Sequence, residues 1–186
     1  DTCATSMGSR WLRHCLHHPL TERGIPRARH EAVAALIGDA GNGPFAALAK
    51  ALSGFADIDR IAARIALKSA RPRDLSSLRD SLARLDGIRS IVPAGTHSAG
   101  AGDTATRLVE LAAALATPQA CIRLLTDAVA VEPATLLRDG GVIAPGYNAD
   151  LDELRAIQHN CGAFLIELEA RERARSGIGN LKVEYN

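Results

Sequence analysis

Apolar residues recur in this chain every three or four positions, and prolines or glycine clusters separate the periodic segments. Such spacing places apolar side chains along one face of an α-helix, and proline ends a helix because it lacks a backbone N–H donor. Aromatic residues, which favour strands, make up only 3% of the chain. The pattern therefore predicts an all-α fold whose core consists of aliphatic helix faces.

The clearest periodic segment has Phe55, Ile58, Ile61 and Ile65 on one face. Pro72 then suits the first turn of the next helix, so two antiparallel neighbours joined by a tight turn are expected. Residues 93–102 are small, polar and Gly-rich and predict a loop. The predicted helices are 7–18, 26–37, a short helix ending near 52, 57–69, 72–92, and two helices around 108–115 and 122–129.

The last 36 residues predict one long helix and then a short strand. Asp150 and Glu153 have the spacing of a capping box, and a helix from there to Arg175 would be a rod of roughly 37 Å. Its apolar seam is Leu154, Ile157, Cys161, Phe164 and Leu168. Residues 180–186 alternate apolar and polar without a partner strand, which is expected of a truncated β segment. We therefore expect a fragment with two parts, residues 1–150 and residues 151–186.

Charge and cysteine usage limit the possible partners. The 22 basic and 21 acidic residues leave a net charge of +1, so the overall charge predicts neither a nucleic-acid nor a membrane partner. No run of 18 apolar residues occurs. The four cysteines are scattered without a C-x-x-C pair, which is typical of reduced residues in a cytoplasmic protein.

Patterns that resemble reactive sites have simpler explanations. His14 and His18 have the i, i+4 spacing of a helical metal site, but no second ligand cluster follows, and a solvated or packed helix terminus is favoured. Asp57 and Asp59 are expected to cap a helix. The turn at 138–141 lacks a phosphate-binding motif. No catalytic residue, cofactor site or metal site is predicted in this chain.

The charged residues near the end of the predicted rod suit a solvated helix. Glu167 and Arg171, and likewise Glu169 and Arg173, have the i, i+4 spacing and the order that favour ion pairs. Acids and bases balance between residues 163 and 186, so no basic patch is predicted there.

Three separated stretches together resemble the bacterial MutS family of DNA mismatch-repair proteins. Trp11 and Cys15 stand where many members carry Leu and Trp, and the loops at 38–44 and 93–102 match no motif. The first matching segment is M-G-S-R-W-L-R at 7–13 with L-H-H-P-L at 16–20. The second runs from D-I-D-R-I at 57–61 through S-A-R-P-R-D-L at 69–75 and is similar to the family's D-L-E-R-x-x-x-R…A-R-P-R-D-L, in which the second R corresponds to Arg64. The third is R-D-G-G-V-I-A-P-G-Y at 138–147 with L-D-E-L-R at 151–155, L-E-A-R-E-R at 168–173 and L-K-V-E-Y-N at 181–186.

The resemblance implies a helical core/lever domain in residues 1–150, followed in residues 151–186 by the lever helix and the beginning of a clamp domain. In the family the clamp holds duplex DNA through its backbone without reading sequence. The resemblance assigns Lys182 and Asn186 to DNA contact, and places Glu184 where many members have Gly. It implies no catalytic residue or cofactor in this segment.

The parent protein implied by the resemblance is a cytoplasmic ATPase that binds ATP and Mg²⁺ in a domain absent from this segment. It would form a homo-oligomer, bind duplex DNA through the complete clamp, and interact with other mismatch-repair proteins but not with a membrane. The seam from Leu154 to Leu168 supports an alternative function, a helical protein–protein interaction module with a coiled-coil-like rod.

Overall fold

The computed structural model describes residues 2–93 and 104–182, and within them the fold is all-α, as predicted. One isolated antiparallel bridge, between Val129 and Ile143, is the extent of β pairing in these ranges. The chain divides into two compact units, Asp1–Ile143 (unit 1) and Ala144–Asn186 (unit 2). The helices are α1 Ser6–His17, α2 Gly24–Ile37, α3 Phe45–Leu52, α4 Ile58–Ala66, α5 Pro72–Ala83, α6 Leu85–Ile91, α7 Thr104–Ala114, α8 Gln119–Ala128, α9 Ala149–His159 and α10 Cys161–Ser176.

The core of unit 1 lies where α4, α5, α6 and α8 meet. Ile61, the central residue of the predicted seam, is only 2% exposed. Burying an aliphatic side chain of this size contributes about 1.5–3 kcal/mol, so this cluster accounts for much of the hydrophobic stabilisation of the unit. Its buried members are Ile61, Leu78, Leu82, Leu85, Leu125 and Val129.

The single helix predicted at 72–92 is two helices, which is a correction to the sequence-based expectation. The turn at Arg84, whose N–H donates to the Ser81 carbonyl at 3.2 Å, separates α5 from α6. Gly87, in the next turn, has a low helix propensity and so adds little stability to a helix continuous across Arg84. Leu82 and Leu85 on its two sides are both buried, so the apolar period continues across the break and conceals it.

The end of α8 is fastened by a side chain from α5. The side chain of Arg79 is 11% exposed, and its guanidinium donates to the carbonyls of Val129, Ala130 and Val131, each at 3.2 Å. These carbonyls lie where the helix ends and have no intrahelical donor. The Ala130 N–H donates to the Val142 carbonyl at 2.9 Å, which brings the returning chain alongside.

In unit 2 the predicted rod is interrupted, so the expectation of one long helix is wrong. Asn160, with φ −110° and ψ 28°, separates α9, of 11 residues, from α10, of 16 residues. At 1.5 Å per residue these helices are about 16 Å and about 24 Å long. Asn160 and Gly162 are both poor helix formers, and asparagine readily adopts backbone angles outside the helical region, which explains the break.

The beginning of α9 also differs from the prediction. The cap is Asn148, whose Oδ1 accepts a hydrogen bond from the Leu151 N–H at 2.8 Å, and not Asp150. Asp152 accepts a second bond from the Gly146 N–H at 2.6 Å. The helix start is therefore fixed by the turn that precedes it.

The chain turns back after α10. Gly177 adopts a left-handed conformation with φ 71°, and its N–H donates to the Arg173 carbonyl at 2.9 Å. Arg173 then donates through Nε to the Leu181 carbonyl at 2.9 Å. Leu181 and Lys182 belong to no strand, and the rest of the predicted β segment, residues 183–186, lies outside the described residues.

Residues Arg107–Ala128 are the one stretch in the described part of the chain with the length and hydropathy of a membrane span, at a mean hydropathy of 1.4. The stretch comprises most of α7 and all of α8, helices of 11 and 10 residues with Pro118 between them. A bilayer requires about 20 residues of continuous helix, so neither helix is long enough to cross it alone.

Candidate functional site

The first two stretches of the sequence pattern meet in space through Arg10 and Asp57. Arg10 on α1 donates two hydrogen bonds to the Asp57 carboxylate, at 2.5 and 2.8 Å, and a third to Asp59 at 3.1 Å. Ser6 donates to the same Asp57 carboxylate at 2.9 Å. Asp57 also accepts the Arg60 N–H at 3.3 Å, so it caps α4 as predicted. One aspartate thus caps a helix and binds a second helix.

A second ion pair joins the two halves of the second stretch. Arg64 on α4 donates to both carboxylate oxygens of Asp74 on α5, at 2.8 and 2.7 Å. Asp74 also accepts the Arg71 N–H at 2.9 Å. Planar two-bond pairing of this kind is specific to arginine and adds geometric definition to the attraction. The tight turn between α4 and α5 is therefore stabilised by contacts from Asp74 to the preceding helix and to the turn itself.

The ion pairs hold these carboxylates in their charged form. Hydrogen bonds from Arg10, with a smaller contribution from Ser6, hold the pKa of Asp57 well below its usual range, although partial burial opposes the shift. The pKa of Asp74 is likewise lowered, chiefly by Arg64. The pKa values of Arg10 and Arg64 are raised, chiefly by the same hydrogen bonds. Carboxylates ionised this firmly are poor proton acceptors near neutral pH, so the cluster suits a structural role.

Sequence reasoning explained Asp57 and Asp59 by capping alone and did not predict the pairing with Arg10. No short-range signal identifies a partner 47 residues away. The pairing of Arg64 with Asp74, ten residues apart, was missed for the same reason, because it depends on the turn between two helices. Only the joint occurrence of these residues in the resembling stretches pointed to them.

The residues predicted to contact DNA are placed only in part. Lys182 is exposed beyond the end of α10 and forms no ion pair with any residue of the described ranges. Asn186, like Glu184, lies outside those ranges. The role of Lys182 in binding therefore stays a prediction that its exposure permits.

The charges of α10 are largely paired within the helix. Arg173 pairs with Glu169, as predicted, and Arg175 pairs with Glu172 at 2.9 Å. The predicted pair between Glu167 and Arg171 does not form. Arg171, like Lys182, is exposed and forms no ion pair with any residue of the described part of unit 2.

The histidines of α1 stack on one another. The rings of His14 and His18 lie 4.4 Å apart between centroids, and His18 Nδ1 lies 3.1 Å from the His14 carbonyl. Trp11 stacks on His14 at 5.6 Å, which continues the row along one face of α1. Across the residues that the structure describes, no group of three His, Cys, Asp or Glu side chains is arranged to hold a metal ion.

Comparison with known protein families gives this arrangement a context. The family model described as MutS domain III matches residues 1–181 and so includes Arg10, Asp57, Arg64, Asp74 and the turn before α9. The match covers the first two stretches on which the resemblance rests and the third as far as Leu181. The chain belongs to the MutS family of DNA mismatch-repair proteins and represents its domain III, the core/lever region.

Proposed function

We propose that this chain is the non-catalytic core and lever of a mismatch-recognition ATPase, together with the beginning of its clamp for duplex DNA. The observation that carries the proposal is that the motif residues bind one another. Arg10 with Asp57 and Arg64 with Asp74 fasten helices and expose no reactive group. Residues used in this way support a rigid body that transmits force.

The lever role is supported by the construction of α10. Its ion pairs within the helix and its closed C-terminus favour a stiff element of about 24 Å. A rod of this length converts a small rotation at its base into a larger displacement at its tip. In the proposed mechanism, the nucleotide state of the ATPase domain rotates the base, and the clamp moves with the tip.

The proposed DNA contact uses residues of α10 and of the segment that follows it. Lys182 and Asn186 would bind phosphates of duplex DNA once the clamp is complete, and Arg171 on the exposed surface of α10 would add long-range attraction. Such contacts neutralise phosphates and do not read bases. The remaining parts of the proposal follow from the family: ATP and Mg²⁺ bound in another domain of a cytoplasmic homo-oligomer, and contact with other mismatch-repair proteins but with no membrane.

A domain exchange tests the proposal. Residues 1–181 would replace domain III in a MutS protein that is active in repair, and the measured quantity is the change in DNA dissociation rate upon ATP addition. We expect the exchanged protein to retain this response and to lose it with Ala170→Pro, which interrupts α10. Ala170→Ser is the matched control and should retain it. The lever role would be refuted if the exchanged protein binds DNA and hydrolyses ATP but its DNA dissociation rate does not change when ATP is added.

A helical interaction module is the second candidate function. Leu154 is 64% exposed and Phe164 is 41% exposed, so part of the predicted seam is available to a partner helix. The break at Asn160 divides this seam between two helices, which disfavours a continuous coiled coil. Concentration-dependent self-association of the chain that Phe164→Asp abolishes would favour this second function.

A further inference from the structure

Unit 1 contains an apolar groove among α1, α2 and α7, with a volume of about 710 Å³. Ala32 and Leu108 lie buried at its base. The walls remain accessible: Trp11 is 58% exposed and Val33 is 52% exposed. The groove is independent of the proposed DNA contact, which lies in unit 2.

The rim of the groove is positively charged. The described residues that line it include Arg29, Arg107, His18 and His30 and no carboxylate, and Arg107 is paired with Glu110 at 3.1 Å. Arg29 forms no ion pair with any carboxylate of the described residues. Arg29 instead lies over the Trp11 ring, 5.7 Å from its centroid, and donates to Cys15 Sγ at 3.4 Å. Its charge is therefore held at the groove edge without a carboxylate partner among the described residues.

We propose that this groove binds an amphipathic helix of a protein partner, one that presents apolar side chains flanked by carboxylates. Helices bind such grooves through apolar residues at i, i+3 or i+4, and i+7, and tryptophan and arginine are the residues that most often dominate the binding energy. Carboxylates beside those anchors would meet Arg29 and its basic neighbours. Charge complementarity of this kind selects the partner and accelerates its association.

Other occupants fit the groove less well. Duplex DNA would place charged phosphates against an apolar floor that offers them no hydrogen bonds. A second copy of this chain in a two-fold arrangement would bring two basic faces together, which is unfavourable. A bilayer is broad and flat compared with a concave site, whereas a helix is narrow enough to enter it.

Trp11 makes the proposal testable, because it is the one tryptophan in the chain and lies in the groove wall. The probe is a synthetic helical peptide with leucines at i, i+4 and i+7 and glutamates beside them. A second peptide has lysine in place of every glutamate. We expect saturable changes in Trp11 fluorescence, confirmed by anisotropy of the labelled peptide, and about tenfold tighter binding of the acidic peptide, equivalent to about 1.4 kcal/mol.

Two matched variants locate the binding. Val33→Asp places a carboxylate in the groove wall and should abolish binding, whereas Val109→Asp makes the same change at a 48% exposed position of α7 that does not line the groove and should leave binding intact. Arg29→Ala should weaken binding of the acidic peptide severalfold and reduce its salt dependence. Circular dichroism of each variant confirms that the helices are retained.

Several results would overturn the proposal. These are equal affinity for the two peptides, loss of binding in Val109→Asp as well, or no binding of either peptide. A Trp11 response to duplex DNA or to anionic vesicles at lower concentration than to the acidic peptide would assign the groove to another class of partner. Self-association that shields Trp11 without peptide would assign it to a second copy.

Discussion

Arg10 and Asp57 lie 47 residues apart in the sequence, and their side chains share two hydrogen bonds of 2.5 and 2.8 Å. No residue of α1 is fully buried, so this ion pair is a principal attachment of α1 to the start of α4. A link between two helices that depends on one arginine and one aspartate can be tested by removing either.

Arg10→Ala should lower the free energy of unfolding of unit 1, because Asp57 would lose its main hydrogen-bond partner. The measurement is the free energy of unfolding from urea titration. Arg13→Ala, three residues along the same helix, is the control and should change that free energy by less than about 0.5 kcal/mol. Arg10→Lys should recover only part of the loss, since lysine cannot form two parallel bonds to one carboxylate. Equal effects of Arg10→Ala and Arg13→Ala would show that the pair contributes nothing.

The lowered pKa of Asp57 predicts a pH dependence. An aspartate whose pKa is lower in the folded state contributes stability that is present above its unfolded pKa, about 3.9, and is lost as the pH falls through the folded value. Wild type should therefore exceed Asp57→Asn in unfolding free energy by a constant amount from pH 7 to about 4, and the difference should shrink below that. Asp127→Asn, at a carboxylate without an ion pair in the described residues, is the control. A difference that grows in acid would contradict the assignment.

Arg79→Met should cost about 2–3 kcal/mol, because three carbonyls at the end of α8 would lose a buried charged donor. Arg79→Lys should restore little, since one ammonium group cannot reach all three. Hydrogen exchange of the Ala130 N–H, which is bonded to Val142, should accelerate in both variants. Arg123→Ala, on the surface of α8, should leave that exchange rate unchanged. Unaltered Ala130 protection in Arg79→Met would show that other contacts hold this segment.

Two Gly→Ala substitutions in unit 2 should have opposite effects. Gly162 has open space where a Cβ would lie, so Asn160→Ala with Gly162→Ala should stabilise a continuous helix by about 1 kcal/mol or more. Gly177 has a φ of 71°, so Gly177→Ala should destabilise the end of α10 by about 1–2 kcal/mol. Hydrogen exchange at residues 160–163 and 173–177 measures both. Slower hydrogen exchange at both 160–163 and 173–177 would show that helix propensity alone determines the stability of these segments.

Lys182→Ala tests the proposed phosphate contact in a MutS protein that carries this domain. Affinity for duplex DNA should fall similarly for every sequence, and the slope of log K against log salt should flatten by about one unit. Lys50→Ala removes an exposed lysine from unit 1 and should leave the slope unchanged. A slope that Lys182→Ala does not alter would remove Lys182 from the interface.

Helical periodicity predicted most of unit 1 because burial and the 3.6-residue period act on the same residues. Ile61 was expected in the core and is 2% exposed, and the predicted boundaries near Pro72 and Pro118 are present. The breaks at Arg84 and Asn160 were missed because apolar residues keep their spacing across them. Local backbone angles, which periodicity does not report, decide whether such a seam is one helix or two.

The polar contacts were less predictable. Capping of α4 by Asp57 followed from local sequence, but its pairing with Arg10 requires the fold to be known. The groove beside Trp11 was not predicted, because an exposed apolar side chain and a buried one have the same periodicity. Lys182 was identified by resemblance alone, and nothing in its local sequence distinguishes it from Lys50.

The bond from Arg173 to the Leu181 carbonyl has a mechanical consequence. After a helix that ends at a glycine, the following residues can ordinarily rotate about the glycine backbone. Part of any movement of the helix end would then not be transmitted to them. Here Arg173 in the last turns of α10 is hydrogen-bonded to Leu181, eight residues later, and this bond restricts rotation at Gly177. Whatever distance the end of α10 travels, Leu181 and the adjoining Lys182 should travel with it.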